Sequence, residues 1–185
     1  MVRTFIAVDI DSDEIISKLV EIQRRIAASG ALMKLVEPEN IHITLYFLGE
    51  VPEERITLIR NIVENCSENI NEFEIHITRL GAFPKPTKPR VIWAGISTGG
   101  EILTQIANCL RDKLPRHGFR REDKEFHPHI TLARVKRHNS RLVHEIKNLS
   151  MVDIGRFLVK TIKIKKSTLT SRGPIYEDLH VIELK

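Results

Sequence analysis

The sequence has few cysteines, no long apolar run and no recognisable export signal. Its apolar stretches, such as residues 5–8, are far shorter than the roughly 20 residues that a membrane-spanning helix needs. The chain enters a predicted strand directly at Val2, without the charged and apolar regions of a secretory signal. Its two cysteines, Cys66 and Cys109, lie in predicted helices without metal-ligand spacing. We therefore expect two free buried thiols in a cytoplasmic protein that does not enter membranes.

The residues that are present have the balance of a globular protein with some excess of positive charge. The chain of 185 residues is 42% hydrophobic and 29% charged, which argues against a disordered or fibrous protein. The net charge of +5 is uneven, because residues 1–92 carry 11 basic and 14 acidic side chains while residues 93–185 carry 18 and 10. The basic half suits a polyanionic partner, although proteins that bind no nucleic acid often have a similar excess.

An internal repeat organises the chain. The tetrapeptide H-I-T-L at residues 42–45 recurs at residues 129–132, an offset of 87 residues, and two such units account for nearly the whole sequence. The same offset superimposes the apolar runs at 5–8 and 92–95 and the amphipathic helix faces that follow them. We therefore predict a single domain, residues 1–185, in which two α+β lobes related by the repeat face each other across a cleft.

Each repeat unit is predicted to fold as strand–helix–strand–helix–strand. The first helix of each unit has a candidate capping box, formed by Asp11 with Glu14 and by Thr98 with Glu101. Later helices are predicted at about 53–69 and 140–149, strands that open at Phe73 and Phe157, and final strands at 90–96 and 178–184. The proline- and lysine-rich residues 84–90 are predicted to form an exposed loop.

Both H-I-T-L segments show the alternation of half-buried strands. On the first strand, His42 and Thr44 point to the open face. On the second strand, His129 and Thr131 do the same. Arg134 falls by this alternation on the buried side, although a twist or bulge at the strand end would turn it into the cleft.

Two histidine–threonine pairs across a cleft suit chemistry at phosphorus. The imidazole pKa of about 6.5 allows one ring to act as general base and the other as general acid near neutral pH. Threonine hydroxyls can donate hydrogen bonds to the non-bridging phosphate oxygens as negative charge builds up there. This arrangement requires no metal or other cofactor. Phosphodiesters of RNA type, particularly strained 2′,3′-cyclic phosphates, are the expected substrates, and the residues alone do not show which histidine is the acid.

An ordered set of motifs makes the pattern more specific. The set is R-x-F-I-A-V-D at 3–9, N-I-H-I-T-L-x-F-L-G at 40–49, G-A-F-P at 81–84, P-R-V-I-W-A-G at 89–95, F-x-P-H-I-T-L-A-R at 126–134 and G-P-x-Y at 173–176. In these motifs the chain resembles the 2H phosphoesterase superfamily, and within it the RNA 2′,3′-cyclic phosphodiesterases, historically called 2′-5′ RNA ligases. The resemblance covers essentially the whole chain.

The resemblance implies a bilobal α+β fold with pseudo-twofold symmetry, two mainly antiparallel sheets, helices on the outer faces and a central cleft. It implies hydrolysis of RNA 2′,3′-cyclic phosphate ends to 2′-phosphates, with reversible 2′-5′ joining of RNA as an associated activity. His42 would be the proton donor and His129 the proton acceptor, and Thr44, Thr131 and Arg134 would bind the phosphate. We expect a monomer whose partner is RNA, with tRNA fragments among the candidates. A non-catalytic RNA-binding module and a phosphodiesterase of small cyclic nucleotides are the alternatives.

Other histidine and aromatic residues carry weaker signals. His76 heads a third H-I-T but has no histidine counterpart in the repeat, so we interpret it as facing solvent or a packing neighbour. His127 lacks the further ligands of a zinc site and is left with a supporting role in the cleft. By alternation Tyr46 points to the open face, where it would stack on a base or pack, whereas Phe47 is buried; Tyr176 is interpreted as structural. Seven basic residues either form a rim that binds RNA phosphates or are ordinary solvated surface charges. They are Lys85, Lys88, Arg90, Arg120, Arg121, Lys165 and Lys166.

Overall fold

Nine strands and four helices follow one another along the chain, and the strands assemble into two antiparallel sheets. The structure is a computed structural model that describes all residues, 1–185. The strands are β1 Val2–Asp9, β2 Leu32–Leu35, β3 His42–Val51, β4 Phe73–Lys85, β5 Lys88–Ile96, β6 His129–Arg137, β7 Asp153–Val159, β8 Thr161–Thr170 and β9 Gly173–Glu183. The helices are α1 Asp13–Ala27, α2 Ile56–Ser67, α3 Gly100–Arg116 and α4 Ser140–Asn148, with single-turn helices at Pro38–Asn40 and Glu53–Arg55.

Each sheet combines strands from both halves of the sequence. The four-stranded sheet has the order β3-β1-β8-β9, and the five-stranded sheet has the order β2-β6-β5-β4-β7. Strand β1 therefore pairs with β3 on one side and with the C-terminal strand β8 on the other, and β4 pairs with β5 and β7. The first H-I-T-L lies at an edge of one sheet and the second lies inside the other.

The helices cover one face of each sheet, and their apolar stripes explain why. Helix α1 buries Ile15, Leu19, Ile22 and Ile26 at the spacing of one helix face. It packs with α4 on the five-stranded sheet, while α2 and α3 pack together on the four-stranded sheet. The opposite faces of the two sheets remain available for a cleft, so the predicted α+β class with outer helices is confirmed. None of the helices has both the length and the apolar character that crossing a membrane requires.

The predicted capping boxes are wrong in detail. Ser12, and not Asp11, caps α1, and its hydroxyl oxygen accepts a hydrogen bond from the Ile15 amide at 3.4 Å. Helix α3 begins after Gly99, which has φ 78° and no capping side chain. A Cβ atom at Gly99 would overlap the Glu74 carbonyl, so the chain requires glycine here for both its left-handed backbone and its close approach to β4.

Three predicted strand boundaries also change. The predicted loop at 84–90 is the end of a hairpin, in which β4 and β5 stay paired as far as Lys85 and Lys88. Two prolines, Pro84 and Pro89, stand opposite each other after a register shift, so neither has to donate to a regular ladder. Strand β7 begins four residues before Phe157, and β9 begins at Gly173, because these polar stretches pair with neighbours although they lack apolar alternation.

A disulfide joins the two helices on the four-stranded sheet. Cys66 of α2 is bonded to Cys109 of α3, with their Cα atoms 5.7 Å apart. The expectation of two free thiols is therefore wrong, and it no longer supports an assignment to a cell compartment. The pairing was hidden because the cysteines are 43 residues apart and become neighbours only when α2 and α3 pack side by side.

We predict that replacing both Cys66 and Cys109 with serine lowers the free energy of unfolding by about 2–4 kcal/mol, because the unfolded chain then loses a loop constraint. Urea unfolding measured by circular dichroism provides the value. A reducing agent should bring the native protein down to the stability of the double variant and leave that variant unchanged. Equal stability of the native protein with and without reductant would contradict the prediction.

Candidate active site

A cavity of about 480 Å³ lies between the uncovered faces of the two sheets. His42 and Thr44 of β3 line one wall, and His129 and Thr131 of β6 line the other. Further side chains around it include Arg3, Phe5, Lys34, Phe47, Arg134, Arg172 and Tyr176. The structure thus brings together the five residues that the sequence analysis selected for one site.

The two histidine rings are held in the same way. His42 Nδ1 lies 2.7 Å from the Asn40 carbonyl oxygen, and His129 Nδ1 lies 2.6 Å from the His127 carbonyl oxygen. A carbonyl oxygen only accepts, so Nδ1 of each ring carries the hydrogen. In the neutral ring, Nε2 is therefore the nitrogen that can accept a proton. In the resting protein, His42 Nε2 shares a hydrogen bond of 2.8 Å with the Thr44 hydroxyl.

An aromatic side chain meets each histidine edge to face. The Tyr176 ring lies 5.4 Å from the His42 ring at 88°, and the Phe83 ring lies 5.2 Å from the His129 ring at 87°. Phe5 adds a second contact to His42 at 5.2 Å. These contacts fix the ring planes with apolar surface. Tyr176, which we interpreted as structural, therefore both packs against His42 and lines the cavity.

Burial sets the protonation state of both histidines. Burial lowers the pKa of His42, and the Asn40 carbonyl and the Asp9 carboxylate oppose that effect only in part. Burial also lowers the pKa of His129, and the nearby positive charge of Arg134 adds to the lowering. Both rings are consequently neutral near pH 7 in the empty cavity, and a bound anion would favour protonation of one of them.

A β-bulge occurs at the same point after each H-I-T. In β3, Leu45 is an extra residue between two that pair with β1, and in β6, Leu132 is an extra residue between two that pair with β5. Leu45 and the following Tyr46 are both buried, as are Leu132 and the following Ala133. Beyond each bulge the alternation is reversed, because two consecutive side chains have been placed on the same face.

The bulges correct the expected orientation of three side chains. Arg134, which simple alternation would bury, instead lines the cavity three residues beyond Thr131. Phe47, predicted to be buried, takes the corresponding place beyond Thr44. Tyr46, predicted to face the cleft, is buried instead, and its hydroxyl donates to the Arg120 carbonyl at 2.6 Å. It is therefore not available to stack on a base.

Comparison with known proteins identifies the family of this chain. The family model described as LigT-like phosphoesterase matches residues 8–93 and 96–176. The chain belongs to the LigT-like phosphoesterase family. This confirms the resemblance to 2H phosphoesterases drawn from the sequence motifs.

Relatives of this LigT-like phosphoesterase match it from end to end. It is 44% identical to the RNA 2′,3′-cyclic phosphodiesterase of Archaeoglobus fulgidus, with 98% of this chain and 99% of that protein covered. It is 37% identical to the protein of the same name from Methanothermobacter thermautotrophicus, with 99% of each chain covered. The crystal structure of TT0787 of Thermus thermophilus superimposes with a TM-score of 0.82 at 30% identity, and 98% and 97% of the two chains are covered.

Some residues singled out from the LigT-like sequence lie away from the cavity. The His76 ring forms a hydrogen bond of 2.8 Å with Asp153 and does not line the cavity. His127 contributes its backbone carbonyl to His129, while its own ring does not line the cavity. No member of the predicted basic rim lines the cavity, and Lys165 is only 7% exposed. Three basic residues that the sequence did not indicate line the cavity, namely Arg3, Lys34 and Arg172. Of these, only Arg3 lies in a family motif.

Lys165 belongs to a closed ring of alternating charges next to His42. Its Nζ lies 2.7 Å from Asp9 and 2.6 Å from Asp178, and Lys163 Nζ lies 3.0 and 3.1 Å from the same two carboxylates. Asp9 stands opposite His42 in the pairing of β1 and β3, so the charge ring lies beside His42 although its members do not line the cavity. Burial alone would raise the pKa of Asp178, but the hydrogen bonds from Lys165 and Lys163 lower it.

We predict that Asp178→Asn destabilises the protein by about 1–3 kcal/mol at pH 7, because two largely buried ammonium groups lose a charged partner. The native pKa of Asp178 is lowered, so its contribution is present above the unfolded pKa of about 3.9 and is lost as the pH falls through the native value. Thermal unfolding from pH 2 to 7 tests this. The gap between the two proteins should close in acid.

Glu177→Gln is the matched control, because Glu177 pairs with Lys166 at 3.4 Å on the exposed surface. Its effect should stay below about 1 kcal/mol. A similar loss of stability in both variants would show that the charge ring stabilises the protein no more than an exposed ion pair does.

Proposed function

We propose that the protein hydrolyses RNA 2′,3′-cyclic phosphate ends to 2′-phosphates through a histidine acid–base pair and without a metal. The observation that carries the proposal is the placement of two Nε2 atoms on facing sheets around one cavity, each fixed by a carbonyl at Nδ1. The names of full-length relatives at 37–44% identity supply the substrate class.

In the proposed reaction, His129 Nε2 accepts a proton from a water molecule whose oxygen attacks phosphorus. The bond between phosphorus and the ribose 3′-oxygen breaks on the opposite side, and His42 Nε2 donates a proton to that oxygen. The products are a 3′-hydroxyl and a 2′-phosphate monoester. The assignment of acid and base follows the family resemblance, and the near-equivalent geometry of the two rings permits the exchanged roles of 2′-5′ joining.

The phosphate itself would bind between the two strands. The hydroxyls of Thr44 and Thr131 would donate to its non-bridging oxygens, and Arg134 would add a charged donor from the β6 wall. Because Thr44 forms a hydrogen bond with His42 in the empty site, its hydroxyl must turn towards the phosphate when substrate binds. That rearrangement releases His42 Nε2 for the leaving oxygen.

The wider parts of the proposal follow from the same cavity. Arg3, Lys34 and Arg172 around its rim would meet RNA phosphates, so RNA fragments, tRNA pieces among them, are the proposed partners. We propose that the enzyme acts as a monomer, since one chain supplies both histidines. Its proposed location is the cytoplasm, because its proposed substrate is RNA. The 87-residue repeat is proposed to be the origin of the two lobes, each of which provides one H-I-T-L strand.

We predict that His42→Ala and His129→Ala each reduce hydrolysis by about 10²–10⁴-fold, because each removes one proton-transfer group. The assay follows an RNA oligonucleotide with a 2′,3′-cyclic end in the presence of EDTA, with a 2′,3′-cyclic mononucleotide in parallel. His76→Ala is the matched control and should retain full activity. Full activity of either active-site variant would overturn the mechanism, and loss in EDTA alone would show that a metal is required.

The same assay separates the substrates. Equal turnover of the mononucleotide and the oligonucleotide would indicate an enzyme of small cyclic nucleotides. RNA binding without any hydrolysis would indicate a non-catalytic module.

We predict a bell-shaped dependence of kcat/KM on pH, with its maximum below about pH 6.5. The active form of the free enzyme has a neutral base and a protonated acid, and burial lowers the pKa of both histidines. The alkaline limb of kcat should lie at higher pH than that of kcat/KM, because a bound phosphate anion stabilises protonated His42. Initial rates between pH 5 and 9 test this. A flat profile, or a maximum of kcat/KM above about pH 7.5, would contradict it.

A further inference from the structure

The bulge that turns Arg134 into the cavity is held by the chain beyond β2 and by a side chain of helix α1. At this point of β6 the Leu132 carbonyl accepts a backbone hydrogen bond of 2.9 Å from Val36, just beyond the end of β2. The same carbonyl also accepts a hydrogen bond of 2.9 Å from the side chain of Gln23. The extra residue of the bulge therefore has two donors directed at it, and neither comes from β5.

Gln23 belongs to helix α1 and is only 3% exposed. Its Nε2 atom also donates to the Val36 carbonyl at 2.7 Å, so a single amide group connects the end of β2 to the bulge of β6. Both hydrogens of this amide are directed at carbonyl oxygens. Without them, the Val36 carbonyl would lose its side-chain donor in a buried place, and the Leu132 carbonyl would keep only the backbone donor of Val36, which disfavours this backbone arrangement.

The bulge determines which face of β6 carries the Arg134 side chain. With the bulge, Leu132 and Ala133 are both buried and Arg134 faces the cavity. Without it, Arg134 would share the face of Ile130 and Leu132, away from Thr131. The position of the guanidinium thus depends on whether the bulge is kept.

We propose that Gln23 is a positioning residue, which keeps Arg134 directed at the substrate phosphate by holding the β6 bulge. The inference rests on the proposed function, in which Arg134 binds the phosphate. Gln23 itself lies in the layer behind the strand and does not touch the reacting atoms.

The bulge in β3 has a different kind of polar contact beside it. At β3 the amide of Phe47 donates to the Glu122 carboxylate at 3.3 Å, and burial raises the pKa of that carboxyl group. This acceptor next to the β3 bulge is an ionisable group, whereas the neutral amide of Gln23 does not titrate. The contribution of Gln23 to substrate binding should accordingly be the same across the pH range in which the enzyme is active.

The test is a double-mutant cycle with Gln23→Met, Arg134→Ala and the combined variant. Methionine keeps the length of the side chain and removes both donors. We expect Gln23→Met to raise KM for a cyclic-ended oligonucleotide by about tenfold, on the scale of one charge-assisted hydrogen bond. The kcat value and the shape of its pH profile should be unchanged, because both histidines are intact. In the Arg134→Ala background, Gln23→Met should have no further effect.

Two more variants separate positioning from general stability. Ser29→Ala removes another buried side-chain donor next to α1, where the hydroxyl bonds the Ile26 carbonyl at 2.6 Å, and it should leave KM unchanged. Gln23→Glu keeps the shape and, when its carboxyl group is neutral, donates one hydrogen bond, so its KM should lie between those of the native protein and Gln23→Met. Thermal unfolding of every variant ensures that only folded protein is compared, and Gln23→Glu carries the test if Gln23→Met does not fold.

The outcomes are distinct. A KM effect of Gln23→Met that persists undiminished without Arg134, an equal effect of Ser29→Ala, or a fall in kcat with unchanged KM would overturn the proposal and leave the proposed function intact. If Arg134→Ala itself leaves KM unchanged, the proposed phosphate-binding role of Arg134 fails and the inference fails with it. Full activity of His42→Ala or His129→Ala would instead refute the acid–base mechanism.

Discussion

Strict alternation along a β-strand allows residues i and i+2 to share a face but sends residue i+5 to the opposite one. The cavity wall needs a histidine, a threonine two residues later and a third side chain three residues after that. A single extra residue in β3 and in β6 meets this requirement, because it reverses the alternation after each H-I-T. The position of Arg134 on one wall and of Phe47 on the other depends on it. The bulges therefore decide what kind of surface surrounds the histidine pair.

The two walls are similar in backbone but different in charge. Beyond its bulge, β6 presents Arg134 with Lys34 opposite it on β2, whereas β3 presents Phe47, whose ring lies 5.0 Å from the Arg3 guanidinium. The histidines themselves match in the carbonyl hydrogen bond at Nδ1 and in one edge-to-face aromatic contact each. A substrate placed in such a cavity would meet equivalent proton-transfer groups within an asymmetric field. Under the proposed function, the asymmetry beyond the bulges would orient an RNA end between the two rings.

The sequence was sufficient to predict the residues whose relation is local. His42 and Thr44 are two residues apart on one strand, as are His129 and Thr131, so alternation alone places each pair on one face. The offset of 87 residues and the motifs around it indicated that the two strands belong together. The α+β class followed from the periodicity of the apolar residues in helices and strands.

Features that depend on tertiary contacts were not accessible in this way. The sequence H-I-T-L-A-R contains no signal for a bulge, so the orientation of Arg134 could not be predicted from it. For the same reason the prediction placed Tyr46 and Phe47 on the wrong faces of β3. Lys165 looked like a surface cation because its partners, Asp9 and Asp178, come from strands 156 and 13 residues away. Cys66 and Cys109 looked unpaired for the same reason. For the lysine and the cysteines, the residue that forms the contact is distant in sequence, and its residue type alone does not mark it as a partner.

The topology explains why such distant partners matter at this site. Strand β1 pairs with β3 on one side and β8 on the other, so the sheet that carries His42 includes C-terminal strands, and Tyr176 of β9 lines the cavity. The wall that carries His129 receives β2 and β4 from the N-terminal half, and Gln23 of α1 bonds to its bulge. Neither half of the sequence contains a complete wall. The two histidines therefore depend on pairing between the halves, and the closed charge ring beside His42 and the amide behind Arg134 are among the polar contacts that join the halves next to the cavity.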